Sequence, residues 1–337
     1  MRTMKAAVVN KPGDDFEIIT KEIPEPHRGY VRIRVEACGI CHSDQIVKEG
    51  VLPGIPYPRI PGHEVAGVID KIGEGVTSWQ VGQRVGVGWH GGQCFHCDSC
   101  RAGDFINCDN RLICGISYDG GYAEYMVAPQ EAVALIPDEL STVDAAPLLC
   151  AGLTTFNALR NSGARPGDVV AIQGVGGLGH MALQYANKFG YKTVALSRGE
   201  DKRELAHQLG AHVYIDTATT DAGAELKKLG GARVILATAP NGKAMSSLVN
   251  GLARNGKMFI IAATQDPIVL SSGQMLMDQI AVQGWLTGHA KDAEDTLNFS
   301  ALFNTMPMTE VYPLEEVNQA YNRMIEGDAR FRVVLKM

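Results

Sequence analysis

The chain has 337 residues, enough for two domains of ordinary size, and 45% of them are hydrophobic against 20% charged, as in soluble globular proteins. The net charge of −6 argues against nucleic acid or an anionic membrane as the main partner. The apolar runs are shorter than the roughly 20 residues of a membrane span, and the start, MRTMKAAVV, leaves no room for a signal peptide. We therefore expect a cytoplasmic protein with reduced thiols.

Short strands broken by glycine and proline are predicted up to about residue 150. The segments are KAAVVN, YVRIRVEA, EVAGVIDKIG, QRVGVG and GYAEYMV. Strands this short, with turn residues between them, indicate a barrel-like or sandwich β domain.

From about residue 167 the pattern changes to strands that alternate with helices. The predicted strands are DVVAIQ, KTVALS, HVYID, RVILATA, KMFIIAA and QIAVQGWL, and the predicted helices are LGHMALQYANKFG, DKRELAHQLG and GKAMSSLVNGLARNG. This alternation is typical of a parallel, doubly wound sheet in an α/β domain. The chain ends with a helix, LEEVNQAYNRMIEG, and a strand, RFRVVLKM, which we expect to rejoin the first domain.

Four cysteines lie on one loop, here called the four-cysteine loop: Cys94, Cys97, Cys100 and Cys108. Tetrahedral zinc accepts four thiolates in a closed structural site. An iron–sulfur cluster is the main alternative, because it uses the same ligands. A closed site leaves no position for substrate, so we expect this metal to be structural and not catalytic.

A second set of candidate ligands, here called the scattered trio, comprises Cys41, His63 and Cys150. Two thiolates and one imidazole would leave a tetrahedral zinc with one open position, as in catalytic sites. Each residue also has a simpler interpretation, since buried cysteines and hydrogen-bonded core histidines are common. Spacing alone does not decide between them. Cys38 and Cys114 are interpreted as packing residues.

A glycine loop follows the strand DVVAIQ and precedes a helix; it contains Gly174, Gly176, Gly177, Leu178 and Gly179. In this context G-x-G-x-x-G predicts a dinucleotide site. The first glycine permits a tight turn, the second lets the backbone approach a pyrophosphate, and the third lets the helix pack on the strand. The helix N-terminus stabilises the anion. The alternative is a tight turn without a ligand.

The end of the second strand of this unit indicates which nicotinamide cofactor is bound. A carboxylate there binds the ribose of NAD, whereas this chain has Ser197 followed by Arg198. An arginine pairs well with a 2′-phosphate, so we expect NADP in preference to NAD. Glu200 and Asp201 come slightly later, at the helix start, and Arg198 as a solvated loop charge is the simpler alternative.

Taken together, these motifs resemble the zinc-dependent alcohol dehydrogenases of the medium-chain dehydrogenase/reductase superfamily. The resemblance covers essentially the whole chain and is carried, in order, by CGICHSD, PGHEVAGVI, the four-cysteine loop, LLCAGLTTFNAL, GVGGLGHMALQYA and YNRMIEGDARFRVVL. CHSD, the SR pair and GDARFRVV are most similar to NADP-dependent bacterial aldehyde reductases and the cinnamyl alcohol dehydrogenase type. The resemblance implies a GroES-like β-barrel catalytic domain over residues 1–150, completed by 288–337, and a Rossmann domain over 151–287.

The resemblance also implies residue roles, beginning with the metals. The scattered trio would ligate a catalytic zinc and the four-cysteine loop a structural zinc, which gives two zinc ions per chain. Ser43 would hydrogen-bond the alcohol oxygen and take its proton, Asp44 would orient His63, and Glu64 would lie behind the zinc.

Further roles concern cofactor and substrate. His42 and Arg332 would approach the cofactor pyrophosphate. The residues implied for the substrate pocket or nicotinamide face are Val51, Trp89, Trp285 and Leu286.

Two positions distinguish this chain within the family. Many members carry a proton-relay histidine where this chain has Ile46, so the relay must end differently. Polyol dehydrogenases usually have glutamate where this chain has Cys150, so a sugar alcohol is disfavoured.

The expected reaction is reversible hydride transfer between a primary alcohol or its aldehyde and NADP(H), in the direction of aldehyde reduction, on an unbranched or aromatic substrate. The alternatives are an NAD-dependent, ethanol-type dehydrogenase and a non-catalytic cofactor-binding scaffold. The resemblance further implies a homodimer or homotetramer joined near QIAVQGWL.

Overall fold

The computed structural model describes residues 2–337, and its contacts divide the chain into two compact units. The first unit consists of the residues up to Leu153 together with Thr287–Met337, and the second of Thr154–Leu286. Among the helices of the described residues, none is long and apolar enough to cross a membrane.

Strands dominate the N-terminal part of the first unit. They are β1 Thr3–Val8, β2 Glu17–Glu22, β3 Tyr30–Ile40, β4 Val65–Ile72, β5 Arg84–Val87, β6 His90–Gly92, β7 Leu112–Ile113, β8 Tyr125–Pro129 and β9 Val133–Leu135. The helices are α1 Gln45–Lys48, α2 Asp98–Arg101 and α3 Thr142–Pro147, with 3₁₀ turns at His42–Asp44, Phe105–Asn107 and Gln130–Ala132. Ser141 caps α3, because its side-chain oxygen accepts a hydrogen bond from the Asp144 N–H.

The chain passes into the second unit through a π-helical turn, Leu148–Gly152, and helix α4, Leu153–Arg160. The strands of the second unit are β10 Val169–Gln173, β11 Lys192–Ser197, β12 Val213–Asp216, β13 Ala232–Ala237, β14 Leu252–Ile260 and β15 Ala281–Gly284. Its helices are α5 Gly179–Lys188, α6 Arg203–Gln208, α7 Ala222–Lys228, α8 Gly242–Leu248 and α9 Ser272–Asp278, with a 3₁₀ turn at Val249–Gly251. All of β10 is buried, as expected where helices cover both faces of a parallel sheet.

The parallel sheet of the second unit has the order β12-β11-β10-β13-β14-β15, so the predicted doubly wound sheet is confirmed. After β12 the chain crosses back over β10 to form β13. The loops after β10 and β13 therefore meet at a topological switch point, where open α/β sheets bind ligands beyond the carboxyl ends of their strands.

One predicted element is wrong in its extent. The segment GKAMSSLVNGLARNG was expected to be helical throughout, but α8 ends at Leu248 and β14 begins at Leu252. Leu252 is fully buried opposite Ala232 of β13, and the backbone then bulges at Asn255, whose φ is +58°, before pairing resumes at Lys257. Burial of Leu252 in the sheet core overrides the helical pattern.

The C-terminal part of the chain completes the first unit with α10 Ala290–Phe303, β16 Thr309–Pro313, a 3₁₀ turn at Leu314–Glu316, α11 Val317–Ile325 and β17 Arg332–Lys336. β17 is antiparallel to β3, with Val333 opposite Ile40. The resulting sheet has the order β16-β17-β3-β4-β5-β9, and β8 also pairs with β3. Cys41, directly after β3, and Arg332, at the start of β17, thus reach the same end of this sheet.

Candidate active site

The four-cysteine loop folds its sulfur atoms into one cluster. All four Sγ atoms lie within 4.8 Å of one another, and each of the cysteines is free, so a disulfide is excluded here. Backbone N–H groups point at two of the sulfurs. The Cys97 nitrogen lies 3.4 Å from Cys94 Sγ, and the Asn110 nitrogen lies 3.3 Å from Cys108 Sγ. Donors of this kind stabilise thiolates, the form that binds metals.

The thiols of this cluster differ in acidity. The backbone N–H of His96, together with that of Cys97, lowers the pKa of Cys94 to about 5, whereas burial raises the pKa of Cys100 to about 12. Four thiolates this close together would repel one another unless a cation bound them. The cluster is therefore a suitable donor set for a cation such as zinc.

The scattered trio is brought together by three separate elements. Cys41 follows β3, His63 precedes β4, and Cys150 lies in the π-helical turn. Cys150 Sγ lies 3.8 Å from Cys41 Sγ and 3.7 Å from His63 Nε2. These atoms and a carboxylate oxygen of Glu64 all lie within 4.8 Å of one another. Two sulfurs and one imidazole nitrogen converge here as a catalytic zinc site requires.

Asp44 orients the imidazole of this group. Its Oδ1 lies 3.1 Å from His63 Nδ1, and both side chains are 2% exposed. Because Nδ1 faces the Asp44 carboxylate, Nε2 is the ring nitrogen that faces the two sulfurs. Burial alone would lower the pKa of His63, but the attraction of Asp44 outweighs it and raises this pKa well above its usual value. Sequence reasoning missed two further donors to this carboxylate, the Cys41 N–H and the Tyr122 hydroxyl, each 2.8 Å from Oδ2.

Glu64 and Arg332 form an ion pair in the interior of the first unit. Arg332 donates to Glu64 Oε1 and, at 3.2 Å, to the carbonyl of Ile40. Burial raises the pKa of Glu64, and the charge of Arg332 opposes this shift. Sequence reasoning also missed Gly39: a Cβ there would lie 1.9 Å from Glu64 Oε2, so only glycine leaves room for this carboxylate. The glycine in CGIC was the available signal. The resemblance assigned Arg332 to the cofactor pyrophosphate, but its guanidinium is held inside the first unit by Glu64 and the Ile40 carbonyl.

Other implied residues of the first unit lie near the trio. Ser43 and His42 share the 3₁₀ turn after Cys41, Ser43 half-buried and His42 exposed. The Trp89 ring meets the His63 ring edge-on, with centroids 4.9 Å apart. Val51 is 62% exposed.

The remaining residues singled out from the sequence are Trp285, Leu286, Ile46, Cys38 and Cys114. Trp285 and Leu286 belong to the second unit, where Trp285 packs edge-on against Phe259 at 5.7 Å and Leu286 is half exposed. Ile46 is half-buried in α1. Cys38 and Cys114 are fully buried. The S–H of Cys38 donates to the Gly39 carbonyl, and the S–H of Cys114 donates to the Gly62 carbonyl.

The glycine loop joins β10 to α5 at the switch point. Gly174 has a φ of +94°, which favours glycine. A Cβ at Gly179 would lie 1.9 Å from the Gly174 carbonyl oxygen, whereas one at Gly176 would meet nothing within 4 Å. The loop, including Gly177 and Leu178, therefore combines a tight turn, close packing and an open backbone face. Lys202, missed by sequence reasoning, donates to the Val175 carbonyl at 2.9 Å.

The loop after β11 is fastened at Gly199. Its N–H donates to Asp216 Oδ1 at 2.7 Å, and its carbonyl accepts from the Tyr214 hydroxyl at 2.6 Å. Ser197, the last residue of β11, is half-buried, and Arg198 beside it is exposed.

The carboxylates around this loop have protein partners of their own. Asp216 also accepts from the Ala218 N–H at 2.8 Å, and Glu200 pairs with Arg203 at 2.7 Å. The N–H groups of Ala218 and Gly199 lower the pKa of Asp216.

Comparison with known proteins agrees with this geometry. The family description "Alcohol dehydrogenase GroES-like domain" matches residues 27–138, and "Zinc-binding dehydrogenase" matches residues 177–302. The chain is 44% identical to alcohol dehydrogenase patD of Penicillium expansum, over 99% of this chain and 98% of that protein. It is 40% identical to an alcohol dehydrogenase of Geobacillus stearothermophilus, over 99% of this chain and 100% of that protein.

Solved structures share the fold over nearly the full length. A cinnamyl alcohol dehydrogenase from Sorghum bicolor aligns with a TM-score of 0.89 and 29% identity, covering 99% of this chain and 98% of that one. The CAD of Helicobacter pylori, complexed with NADP(H), aligns with a TM-score of 0.87 and 27% identity, covering 99% of this chain and 98% of that one. The acetophenone reductase of Geotrichum candidum, in complex with NAD, aligns with a TM-score of 0.87 and 25% identity, covering 99% of this chain and 97% of that one.

A GroES-like unit joined to a Rossmann-type parallel sheet, with converging sulfur and imidazole donors, defines the medium-chain dehydrogenase/reductase class. Within that class, the chain belongs to the zinc-type alcohol dehydrogenases. It is therefore an oxidoreductase with the alcohol dehydrogenase or reductase activity of that family.

Proposed function

We propose that this enzyme transfers hydride reversibly between a primary alcohol, or its aldehyde, and NADP(H), with a catalytic zinc at the scattered trio and a structural zinc at the four-cysteine loop. The observation that carries the proposal is the convergence of Cys41, His63 and Cys150 with Asp44 behind the imidazole. Sequence-distant residues that share one donor cluster are well explained by a shared ligand.

The donor sets fit their assigned metals. Four thiols fill a tetrahedron and suit a structural zinc, whereas two thiols and one imidazole leave a fourth position for substrate. When bound at the trio, zinc supplies Lewis-acid polarisation of the aldehyde carbonyl or lowers the pKa of the alcohol.

The chain's own residues perform the remaining tasks. Asp44 keeps the proton on His63 Nδ1 and so keeps Nε2 available as a ligand atom. Ser43, two residues after Cys41, would hold the hydroxyl of the alcohol and accept its proton on Oγ while its own hydroxyl proton passes to water. Glu64, whose Oε2 has no hydrogen-bond partner among residues 2–337, would be available as a transient ligand when water exchanges.

NADP is favoured over NAD by the loop after β11. The exposed Arg198 next to Ser197 offers a cation where NAD enzymes carry a carboxylate. Asp216 does not replace that carboxylate, because its oxygens accept from Gly199, Ala218 and Thr219. His42, exposed on the turn after Cys41, would face the pyrophosphate.

The substrate side of the proposal follows the same residues. Trp89, edge-on to His63, would place a flat apolar wall beside the reacting carbon and favour unbranched or aromatic aldehydes. Val51 of the first unit would extend this wall, and Trp285 and Leu286 of the second unit would lie at the nicotinamide face. Because cells keep NADPH reduced, the physiological direction would be aldehyde reduction. β15, at the end of the sheet order, would join subunits into a dimer or tetramer.

Initial rates with NADPH and NADH over a panel of aliphatic and aromatic aldehydes test this proposal. The expected result is faster reduction with NADPH at equal concentration. Equal rates with both cofactors would remove the NADP assignment in favour of an NAD-linked dehydrogenase. No rate with any aldehyde or alcohol would favour a non-catalytic scaffold.

A further inference from the structure

A chain of hydrogen bonds leads from the core of the first unit to His63. Tyr122 is fully buried, and its hydroxyl donates to Asp44 Oδ2 at 2.8 Å. The other oxygen of Asp44 lies 3.1 Å from His63 Nδ1. On the basis of the proposed function, we propose that Tyr122 is a positioning residue, whose hydroxyl fixes the Asp44 carboxylate and thereby the imidazole at the catalytic zinc.

The position of Tyr122 is set by its backbone and its packing. The N–H groups of residues 120–122 donate to the carbonyls of residues 60–62 at 2.7–3.0 Å, so the segment with Tyr122 is tied to the one that leads into His63. A Cβ at Gly62 would lie 2.5 Å from the Tyr122 ring, and the Phe16 ring lies edge-on to it at 5.8 Å. The ring therefore has little freedom, and its hydroxyl is aimed at Asp44.

The electrostatic effect of this hydroxyl follows from the burial of Asp44. A carboxylate that is 2% exposed needs donors for both oxygens. Oδ2 accepts from the Cys41 N–H and from Tyr122, each at 2.8 Å, which leaves Oδ1 to His63. Without the tyrosine hydroxyl, Oδ2 keeps one donor and the carboxylate can rotate. The hold on His63 then loosens.

Tyr321 provides a matched control. Its ring lies edge-on to the same Phe16 at 5.3 Å and is 4% exposed, but its hydroxyl has no hydrogen-bond partner among residues 2–337. A phenylalanine at either position removes one buried hydroxyl from the same core. Only Tyr122→Phe removes a donor from Asp44.

The test measures the release of zinc from the loaded protein to 4-(2-pyridylazo)resorcinol. We expect Tyr122→Phe to lose one of its two zinc ions about tenfold faster than wild type, as for other residues that support a metal ligand. The second zinc of Tyr122→Phe, and both in Tyr321→Phe, should leave at the wild-type rates. Wild-type release of both ions from Tyr122→Phe would overturn the proposal.

A second comparison separates positioning from general stability. Asp44→Asn with Tyr122→Phe should release zinc no faster than Asp44→Asn alone, because the tyrosine acts through the carboxylate. Additive acceleration would mean that Tyr122 acts only through folding stability, and would overturn its role. A wild-type protein that releases a single zinc would instead contradict the two-zinc assignment.

Discussion

The sulfur atoms of Cys41 and Cys150 lie 3.8 Å apart, although 109 positions separate the two residues in the chain. Cys41 follows β3, and Cys150 follows α3, which packs against β3. The widened π-helical turn after Pro147, a geometry found frequently at functional sites, carries the Cys150 thiol. Tertiary packing therefore assembles the donor set.

Ser43→Ala should reduce turnover while both metal sites remain intact. The variant removes the hydroxyl that accepts the alcohol proton, and general acid–base groups typically contribute about a hundredfold or more to kcat. Ser43 is outside both donor clusters, so zinc content should match wild type. Steady-state kinetics with zinc analysis measure both, and Ser43→Thr should restore most of the rate. Wild-type kcat in Ser43→Ala would exclude this role.

Arg198→Ala should raise the KM for NADPH about tenfold or more and change the KM for NADH little. The reason is the loss of a charge-assisted contact to the 2′-phosphate, which NADH lacks. Arg254→Ala is the matched control, because this arginine of the same unit has a side chain that is 84% exposed. An equal change in both KM values for Arg198→Ala would show that Arg198 does not read the phosphate.

Asp216→Asn should weaken the loop that carries Arg198 in a pH-dependent manner. The pKa of Asp216 is lowered by N–H donors, chiefly that of Ala218. A lowered pKa stabilises the folded state above the carboxyl's unfolded value of about 3.9, and this stabilisation is lost as the pH falls through the folded-state pKa.

Urea unfolding midpoints across pH measure this effect. The wild type should unfold at a higher urea concentration than Asp216→Asn at neutral pH. This difference in midpoint should disappear in acid. Asp201→Asn, an exposed carboxylate nearby in the loop, should show a much smaller gap. A gap that persists unchanged in acid would show that the carboxylate charge is not responsible.

Gly39→Ala should destabilise the first unit and disturb the Glu64–Arg332 pair. The new methyl group would lie 1.9 Å from Glu64 Oε2, and overpacking of this kind typically costs about 1–3 kcal/mol. Gly273→Ala in α9 is the control, because the nearest atom to a Cβ there is Ser271 Oγ at 3.9 Å, an ordinary contact. Thermal unfolding of both variants measures the difference, and equal stabilities would mean that Glu64 moves aside at no cost.

The chemistry-bearing motifs were more visible in the sequence than their supports. The glycine loop and the four cysteines are local, so spacing alone predicted a dinucleotide turn and a thiol cluster. The strand–helix alternation predicted the parallel sheet because buried strands and amphipathic helices have different periods. The scattered trio needed the family resemblance, since nothing local links Cys41 to Cys150.

The supporting residues could not be predicted because their roles depend on tertiary contacts. Tyr122 reads as an ordinary strand residue in GYAEYMV, and its hydrogen bond to Asp44 spans 78 positions. Asp216 and Tyr214 reach Gly199 only across the β11–β12 pair. The helix expected to continue past Leu248 failed for a similar reason, since burial of Leu252 against β13 outweighs local propensity.

Zinc content and turnover of Cys150→Ser, measured on the same preparation, test the central claim most directly. A folded chain with about one zinc, wild-type thermal stability and no turnover is expected. Cys97→Ser, the matched change in the four-cysteine loop, should lose stability first and activity only as a consequence. Full zinc content and wild-type turnover in Cys150→Ser would contradict the assignment of the chemistry to the scattered trio.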